Sequence, residues 1–222
     1  MKISILMLTF NAPRCVLESV KGVNKAKEKT NNLELIVLDN NSQFQTKNLL
    51  NNLNEKGLID KLIFNSKNDL FAKGNNLASK YASLDTTHYL LLNSDIKIND
   101  PNCFNKLMEI HPEKGGISSF GAVLSDPVRA DGYCFLIDKY LYDKYQLDEY
   151  FEWWWSITKI QSQILSEGLK IRAVRNHEKY IHHYGGKSGY AWKGANGMDI
   201  EKKEVISWFN NIEGKVEVIK EI

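Results

Sequence analysis

The chain has 222 residues, enough for one sizeable α/β domain, and its 43% hydrophobic content supports a real core. A formal net charge of +2 with 25% charged residues, and no long basic run, gives no electrostatic footprint for a nucleic-acid partner. Cys15, Cys103 and Cys134 lie far apart without metal or redox spacing and read as free thiols in a reducing compartment. In chain order, the apolar start Ile3 to Leu8 is too short to span a membrane and lacks a signal-peptide cleavage pattern, so it reads as a first strand. A helical stretch follows near Pro13 to Lys27, then a strand from Leu33 to Leu38 ending at Asp39-Asn40-Asn41-Ser42. A polar helix around Lys47 to Lys56 precedes a strand from Ile59 to Phe64, a helix from Gly74 to Ser83 and a strand from Tyr89 to Leu92. Strand-helix alternation at this spacing predicts a mostly parallel sheet covered by helices, with the ligand site outside the carboxyl ends of the strands.

Polar groups collect at those ends: Thr9-Phe10-Asn11 after the first strand, Asp39 after the second, Asn68 after the third and Asn93-Ser94-Asp95 after the fourth. Each taken alone reads as a turn or a helix cap, but Asp39, at the end of the apolar run Leu35 to Leu38 with Thr9 on the neighbouring strand, reads as an acceptor for a base N–H or ribose hydroxyls in preference to an Asx turn with Asn40 and Asn41. Four in succession point to a shared nucleotide crevice. Lys73, in a glycine-containing block, is either a phosphate contact or a solvated lysine near a helix start.

Four segments in order resemble the inverting glycosyltransferases of family 2, which have the GT-A fold. "ISILMLTFN" is similar to the family's opening strand and Thr-x-Asn turn, and "LELIVLDNNS" to the second strand, whose terminal Asp contacts the base or ribose. "NDLFAKGNNLA" resembles the loop-and-helix block Asn-x-Gly-Phe-Ala-x-Gly-Asn-Asn, and "YLLLNSDI" the strand carrying the D-x-D metal motif, here Asn-x-Asp. The resemblance implies a three-layer α/β/α fold, one domain over 1–222, with a nucleotide-sugar half at 1–100 and an acceptor half at 101–222. It implies a UDP-, GDP- or dTDP-sugar donor held at Thr9, Phe10, Asn11, Asp39, Asn68, Lys73, Asn93, Ser94, Asp95 and Gly132. It also implies Mn²⁺ or Mg²⁺ on Asp95 and a glycan, lipid-linked or protein acceptor. The cysteine usage and the opening segment lead separately to the expectation of a soluble cytoplasmic protein, with peripheral contact at a membrane surface.

The second half is similar to the family's acceptor side, with Gly132 and an apolar strand before the turn Leu147-Asp148-Glu149-Tyr150-Phe151. The family follows this turn with a helix bearing a Glu-Asp pair, whose Asp is the catalytic base. Here that pair falls on Ser156-Ile157, and neither residue can take a proton. Glu152, one helical turn before Ser156 and walled by Trp153, Trp154 and Trp155, is the expected substitute, with Asp148 and Glu149 as rivals in the turn. The tryptophans divide between core packing and stacking on a sugar ring. His183-Tyr184-Gly185-Gly186-Lys187-Ser188 fits the family's His-x-x-Gly-x-Ser block, which puts His183 beside Asp95 as a cation or diphosphate ligand, with His182 facing away. Val205 to Ile212 is amphipathic and reads as a closing helix or a surface contact. A nucleotidyltransferase would need a glycine-rich first loop, which "TFNAPRCVLES" lacks. The remaining alternative is a degenerate protein that binds a nucleotide-sugar or glycan without turnover.

Overall fold

In the computed structural model, which describes residues 1–187 and 193–222, the apolar opening run forms β1 (Ile3–Thr9). Helix α1 (Pro13–Lys27) starts where Pro13 supplies a preset φ and no amide to satisfy, and Lys25 and Lys27 complement the dipole in its last turn. The alternation then continues as predicted through β2 (Leu33–Asp39), α2 (Phe44–Glu55), β3 (Lys61–Phe64), α3 (Leu70–Ser79) and β4 (His88–Asn93). The second half runs β5 (Ile96–Ile98), α4 (Cys103–Glu109), β6 (Gly116–Phe120), β7 (Ala122–Val123), β8 (Arg129–Ala130), β9 (Cys134–Asp138) and α5 (Lys139–Tyr145). It closes with α6 (Trp155–Ser166), β10 (Lys170–Val174), β11 (Ile181–His183), α7 (Lys202–Ser207) and β12 (Glu217–Ile219).

Eight strands form one sheet in the order β12-β10-β6-β9-β4-β1-β2-β3. Every pairing is parallel except those of β9, which runs antiparallel to both β4 and β6. Strands from both halves of the chain thus belong to one sheet. Two short antiparallel ribbons, β5-β11 and β7-β8, lie outside it.

The sheet is buried on both faces because its strands are apolar at consecutive positions. On one face Ile5, Val37 and Leu90 pack with Val16, Val20, Leu50 and Phe104 from α1, α2 and α4. On the other, Leu6, Ile36, Leu91 and Ile137 pack with Ala72, Tyr142, Ile160 and Ile164 from α3, α5 and α6. This is the three-layer arrangement the alternation predicts. Truncating a fully enclosed residue such as Leu91 to Ala removes apolar contact and leaves a cavity, at a cost of roughly 2–5 kcal/mol.

Two details of the sequence reading change. The helix expected at Gly74 begins at Leu70, where Asn68 Oδ1 accepts the Leu70 amide at 3.0 Å. Gly74 lies inside α3, so close to β1 that a Cβ there would meet Leu8 Cδ1 at 2.9 Å and Asn40 Nδ2 at 3.1 Å. Helix α6, which the sequence reading assigned to an acceptor side, begins only at Trp155, so Glu152 lies in the preceding turn and shares no helical face with Ser156. The chain turns there because the Glu152 carbonyl accepts the Phe71 and Ala72 amides of α3, at 3.0 and 3.3 Å.

Candidate functional site

The break after β4 is held by a helix. Ser19, buried on α1, places its hydroxyl 2.8 Å from the carbonyls of both Ser94 and Ile96, which share its one proton, and accepts the Ile96 amide at 3.2 Å. One side chain therefore satisfies the backbone groups of the kink that a continuing strand would otherwise pair. Beyond the kink, β5 pairs antiparallel with β11, and the register sets His183 opposite Ile96. The Tyr184 amide then donates to the Asp95 carbonyl at 3.0 Å.

That ribbon brings residues 88 positions apart together. His183 Nε2 lies 3.2 Å from Asp95 Oδ1 and 3.2 Å from Asn93 Nδ2, and Asp95 Oδ2 accepts the Lys187 amide at 3.3 Å. The imidazole is fixed by stacking on Tyr133, with ring centroids 4.4 Å apart and planes 10° from parallel. Burial pushes the Asp95 carboxyl upward, but the contact with His183 and the Lys187 amide outweigh it, and the group is held below its ordinary range. His182 points the other way and meets Glu178 at 2.8 Å, as strand alternation requires. Ser188, the last position of the His-x-x-Gly-x-Ser block, lies outside the described residues.

Two cavities meet at this cluster. One, about 300 Å³, is lined by Thr9, Phe10, Asn40, Asn68, Ser94 and Asp95 at the carboxyl ends of the parallel strands. The other, about 380 Å³, is lined by Arg129, Asp131, Gly132, Tyr133, Ile157 and Thr158. They share Phe71, Asn93, Trp153, Trp154 and His183, and so are two lobes of one cleft. The first lobe carries backbone strain: Ala12 and Leu70, both lining it, hold φ of 53° and 55°. Left-handed backbone costs roughly 1–2 kcal/mol at a residue with a Cβ, and such strain concentrates at functional sites.

The expected residues divide accordingly. Thr9, Phe10, Asn68, Asn93, Ser94, Asp95, Gly132 and His183 line the cleft. Asp39 stands just behind it with no exposed surface, accepting Thr9 Oγ1 at 3.1 Å and the Ser42 amide at 3.0 Å. Asn11 ties two turns together, accepting the Gln43 amide at 2.9 Å and donating its own amide to Ser42 Oγ at 2.7 Å. Lys73 lines neither lobe and pairs with Asp69 at 3.6 Å.

Neither expected base candidate lines the cleft. Asp148 pairs with Lys159 of α6 and accepts the Tyr150 amide at 3.0 Å within its own turn, while α6 has Trp154 as its N-cap and no side-chain capping bond. Glu152 Oε2 accepts the Asn196 amide at 2.7 Å. Trp153 and Trp154 line both lobes, while Trp155 lies under the Arg129 guanidinium at 5.5 Å. Sequence reasoning passed over Asp131, a partly exposed lining residue whose carboxylate has no hydrogen-bond or ion-pair partner among the described residues. The signal was its place immediately before Gly132, whose missing side chain admits α6: a Cβ there would lie 2.9 Å from Ile157 Cγ1.

A mostly parallel α/β/α sheet with its cleft at the carboxyl ends of the strands belongs to the class of folds that bind ligands at that edge. The family model described as Glycosyl transferase family 2 matches residues 4–132, more than half of the chain, and the chain belongs to that family. None of the curated proteins matches it in sequence. Among solved structures it is similar to the mannosyltransferase PcManGT from Pyrobaculum calidifontis in complex with GDP-Man and Mn²⁺. The TM-score is 0.67 at 13% identity, covering 79% of this chain and 55% of that one. It is also similar to S. aureus TarS 1-349, with a TM-score of 0.61 at 15% identity, covering 94% and 70%. The complex of that protein with UDP gives 0.57 at 16% identity, covering 73% and 55%. These likenesses establish a shared GT-A fold, and the chain spans 55% of the length of the PcManGT and UDP-bound TarS chains.

Proposed function

We propose that the chain transfers a sugar from a nucleotide-sugar donor to an acceptor hydroxyl by a single inverting displacement, with a divalent cation held at Asp95 and His183. The observation that carries this reading is the convergence of Asn93, Asp95 and His183 at the junction of the two lobes. The donor set suits Mn²⁺ or Mg²⁺: a carboxylate kept ionised, an imidazole nitrogen within 3.2 Å of it, and an amide that can present its oxygen. When bound, the ion would neutralise charge developing on the departing diphosphate.

The chain's own residues supply the rest. The nucleoside lies in the first lobe, where Thr9, Asn40 and Asn68 offer hydrogen-bonding groups and Phe10 an aromatic face. Asp39 acts from behind, by orienting Thr9. The acceptor enters the second lobe, where Trp153 and Trp154 present apolar faces suited to sugar C–H surfaces. Asp131 takes the proton from the acceptor hydroxyl as its oxygen bonds to the anomeric carbon and the carbon–diphosphate bond breaks. This assignment replaces Glu152, whose carboxylate is committed to Asn196. The two GDP- and UDP-containing relatives leave the nucleoside open, as they do the acceptor, whether glycan, lipid-linked or protein.

The test is thermal denaturation with UDP-, GDP- and dTDP-sugars, with and without Mn²⁺. A donor at 100 times its Kd stabilises by about 2.7 kcal/mol, a clear rise in Tm. The expected result is a rise with one nucleoside family that needs the ion. No rise with any donor would overturn the reading.

A further inference from the structure

We propose that His88, His111 and Asp138 form a zinc-binding site at the edge of the sheet opposite the cleft. His88 opens β4 and Asn93 ends it, a separation of about 17 Å at 3.3–3.4 Å per residue, so the cluster takes no part in the donor site. His88 and Asp138 face each other in the antiparallel register of β4 and β9, and His111 arrives from the turn after α4. His88 Nε2 lies 3.2 Å from Asp138 Oδ1, and His111 Nε2 lies 2.9 Å from Asp138 Oδ2. One ligand atom from each residue falls within 4.8 Å of the others, and both imidazoles are buried.

The surroundings are those of a prepared site. Asp138 is the N-cap residue of α5, yet its carboxylate makes no capping hydrogen bond and turns instead to the two imidazoles and to the Gly116 amide, which donates to Oδ2 at 2.7 Å. An aspartate in that position ordinarily caps its own helix. Both outer ring nitrogens are held: His88 Nδ1 by Thr87 Oγ1 at 2.8 Å and His111 Nδ1 by Ser118 Oγ at 3.0 Å. Thr87 Oγ1 also lies 2.9 Å from the Lys2 carbonyl, to which its proton can go. His88 Nδ1 is then the donor to Thr87, and Nε2 is the nitrogen turned toward Asp138. Such outer hydrogen bonds fix the tautomer and ring orientation of metal-bound histidines.

Three ligands on a tetrahedral ion at about 2.1 Å stand about 3.4 Å apart; the two histidine–carboxylate spacings, 3.2 and 2.9 Å, are close to this, and the remaining pair lies within 4.8 Å. Two imidazoles and one carboxylate are a borderline-soft donor set that favours Zn²⁺ over Mg²⁺ or Ca²⁺, with water as the fourth ligand. The ion would fasten β4, β9 and the α4–β6 turn together.

Co²⁺ and Zn²⁺ are the probes, applied to the EDTA-stripped full chain and to the same chain carrying Asp95→Ala, which silences the cleft. The expected result is one equivalent of Co²⁺ with four-coordinate visible absorption in Asp95→Ala, displaced by Zn²⁺, and the same absorption in the unaltered chain beside whatever the cleft takes up. Zn²⁺ at 100 times its Kd should raise Tm by about 5–10 °C. His88→Gln and His111→Gln should each abolish uptake. Should either fail to fold, imidazole NMR on the Asp95→Ala chain, whose cluster is unaltered, decides: Zn²⁺ should shift two of the five histidines, those of His88 and His111. No metal uptake at micromolar concentration, uptake unchanged in both folded glutamine variants, or shifts confined to other histidines would overturn the site and leave an ion-paired cluster.

Discussion

Gly132 packs so tightly on Ile157 that a Cβ at position 132 would lie 2.9 Å from Ile157 Cγ1 and 3.2 Å from Cγ2. Ile157 is fixed in the core of α6, and both residues line the second lobe of the cleft. Gly132→Ala should therefore push α6 outward, costing about 1–3 kcal/mol as overpacking does. It should weaken acceptor use more than donor binding. Urea denaturation and separate Michaelis constants for the two substrates measure this, and an unchanged acceptor KM would count against the packing argument.

Asp95→Ala should abolish cation-dependent donor binding while leaving the fold intact, since the residue sits beyond the end of β4. His183→Ala should weaken the same binding, and Tyr133→Leu should do so more mildly by freeing the imidazole it stacks against. Titration calorimetry with Mn²⁺ and a donor reads all three variants. Donor affinity that keeps its full metal dependence in Asp95→Ala would remove Asp95 from the site.

Asp131→Asn should lower turnover by about 10²–10⁴-fold with donor affinity nearly unchanged, the mark of a group needed in the transition state. Glu152→Gln should instead cost stability, because Glu152 joins the turn before α6 to Asn196. The two variants are compared by kcat at saturating donor. The reverse pattern would return the base to Glu152.

Glu34 gives a stability prediction remote from the cleft. Burial alone would raise its carboxyl, but hydrogen bonds from Ser4 and Ser83, with the charge of Lys61, lower it from 4.5 to about 2. A folded-state value below the unfolded one stabilises the protein at pH above about 4.5, and that stability fades as pH falls toward 2. At 1.36 kcal/mol per unit the full contribution is about 3 kcal/mol. Glu34→Gln should be less stable than wild type by about this much at pH 7, and in urea titrations the gap should shrink through pH 4 and 3 and close only below about pH 2. A gap independent of pH would mean that packing, not charge, carries the effect.

The sequence by itself determined the sheet's parallel half, because an alternation of apolar runs and amphipathic stretches is a local property that needs no partner to be read. It also determined which polar groups end the strands, and Asn93-Ser94-Asp95 follows directly from where the apolar run stops. Only the tertiary structure decided that Asp39 faces inward to Thr9 and Ser42, because side-chain direction at a strand end depends on the neighbouring turn. Only it delivered His183 to Asp95, through a three-residue ribbon whose pairing spans nearly half the chain. The segment read from the sequence as an acceptor side was the least legible. Its helix starts three residues after Glu152, because the turn's carbonyl is taken up by the amides of α3, a contact between segments some eighty residues apart. Local pattern fixes which elements form; the non-local hydrogen bonds fix where each begins and which carboxylate it leaves facing the cleft.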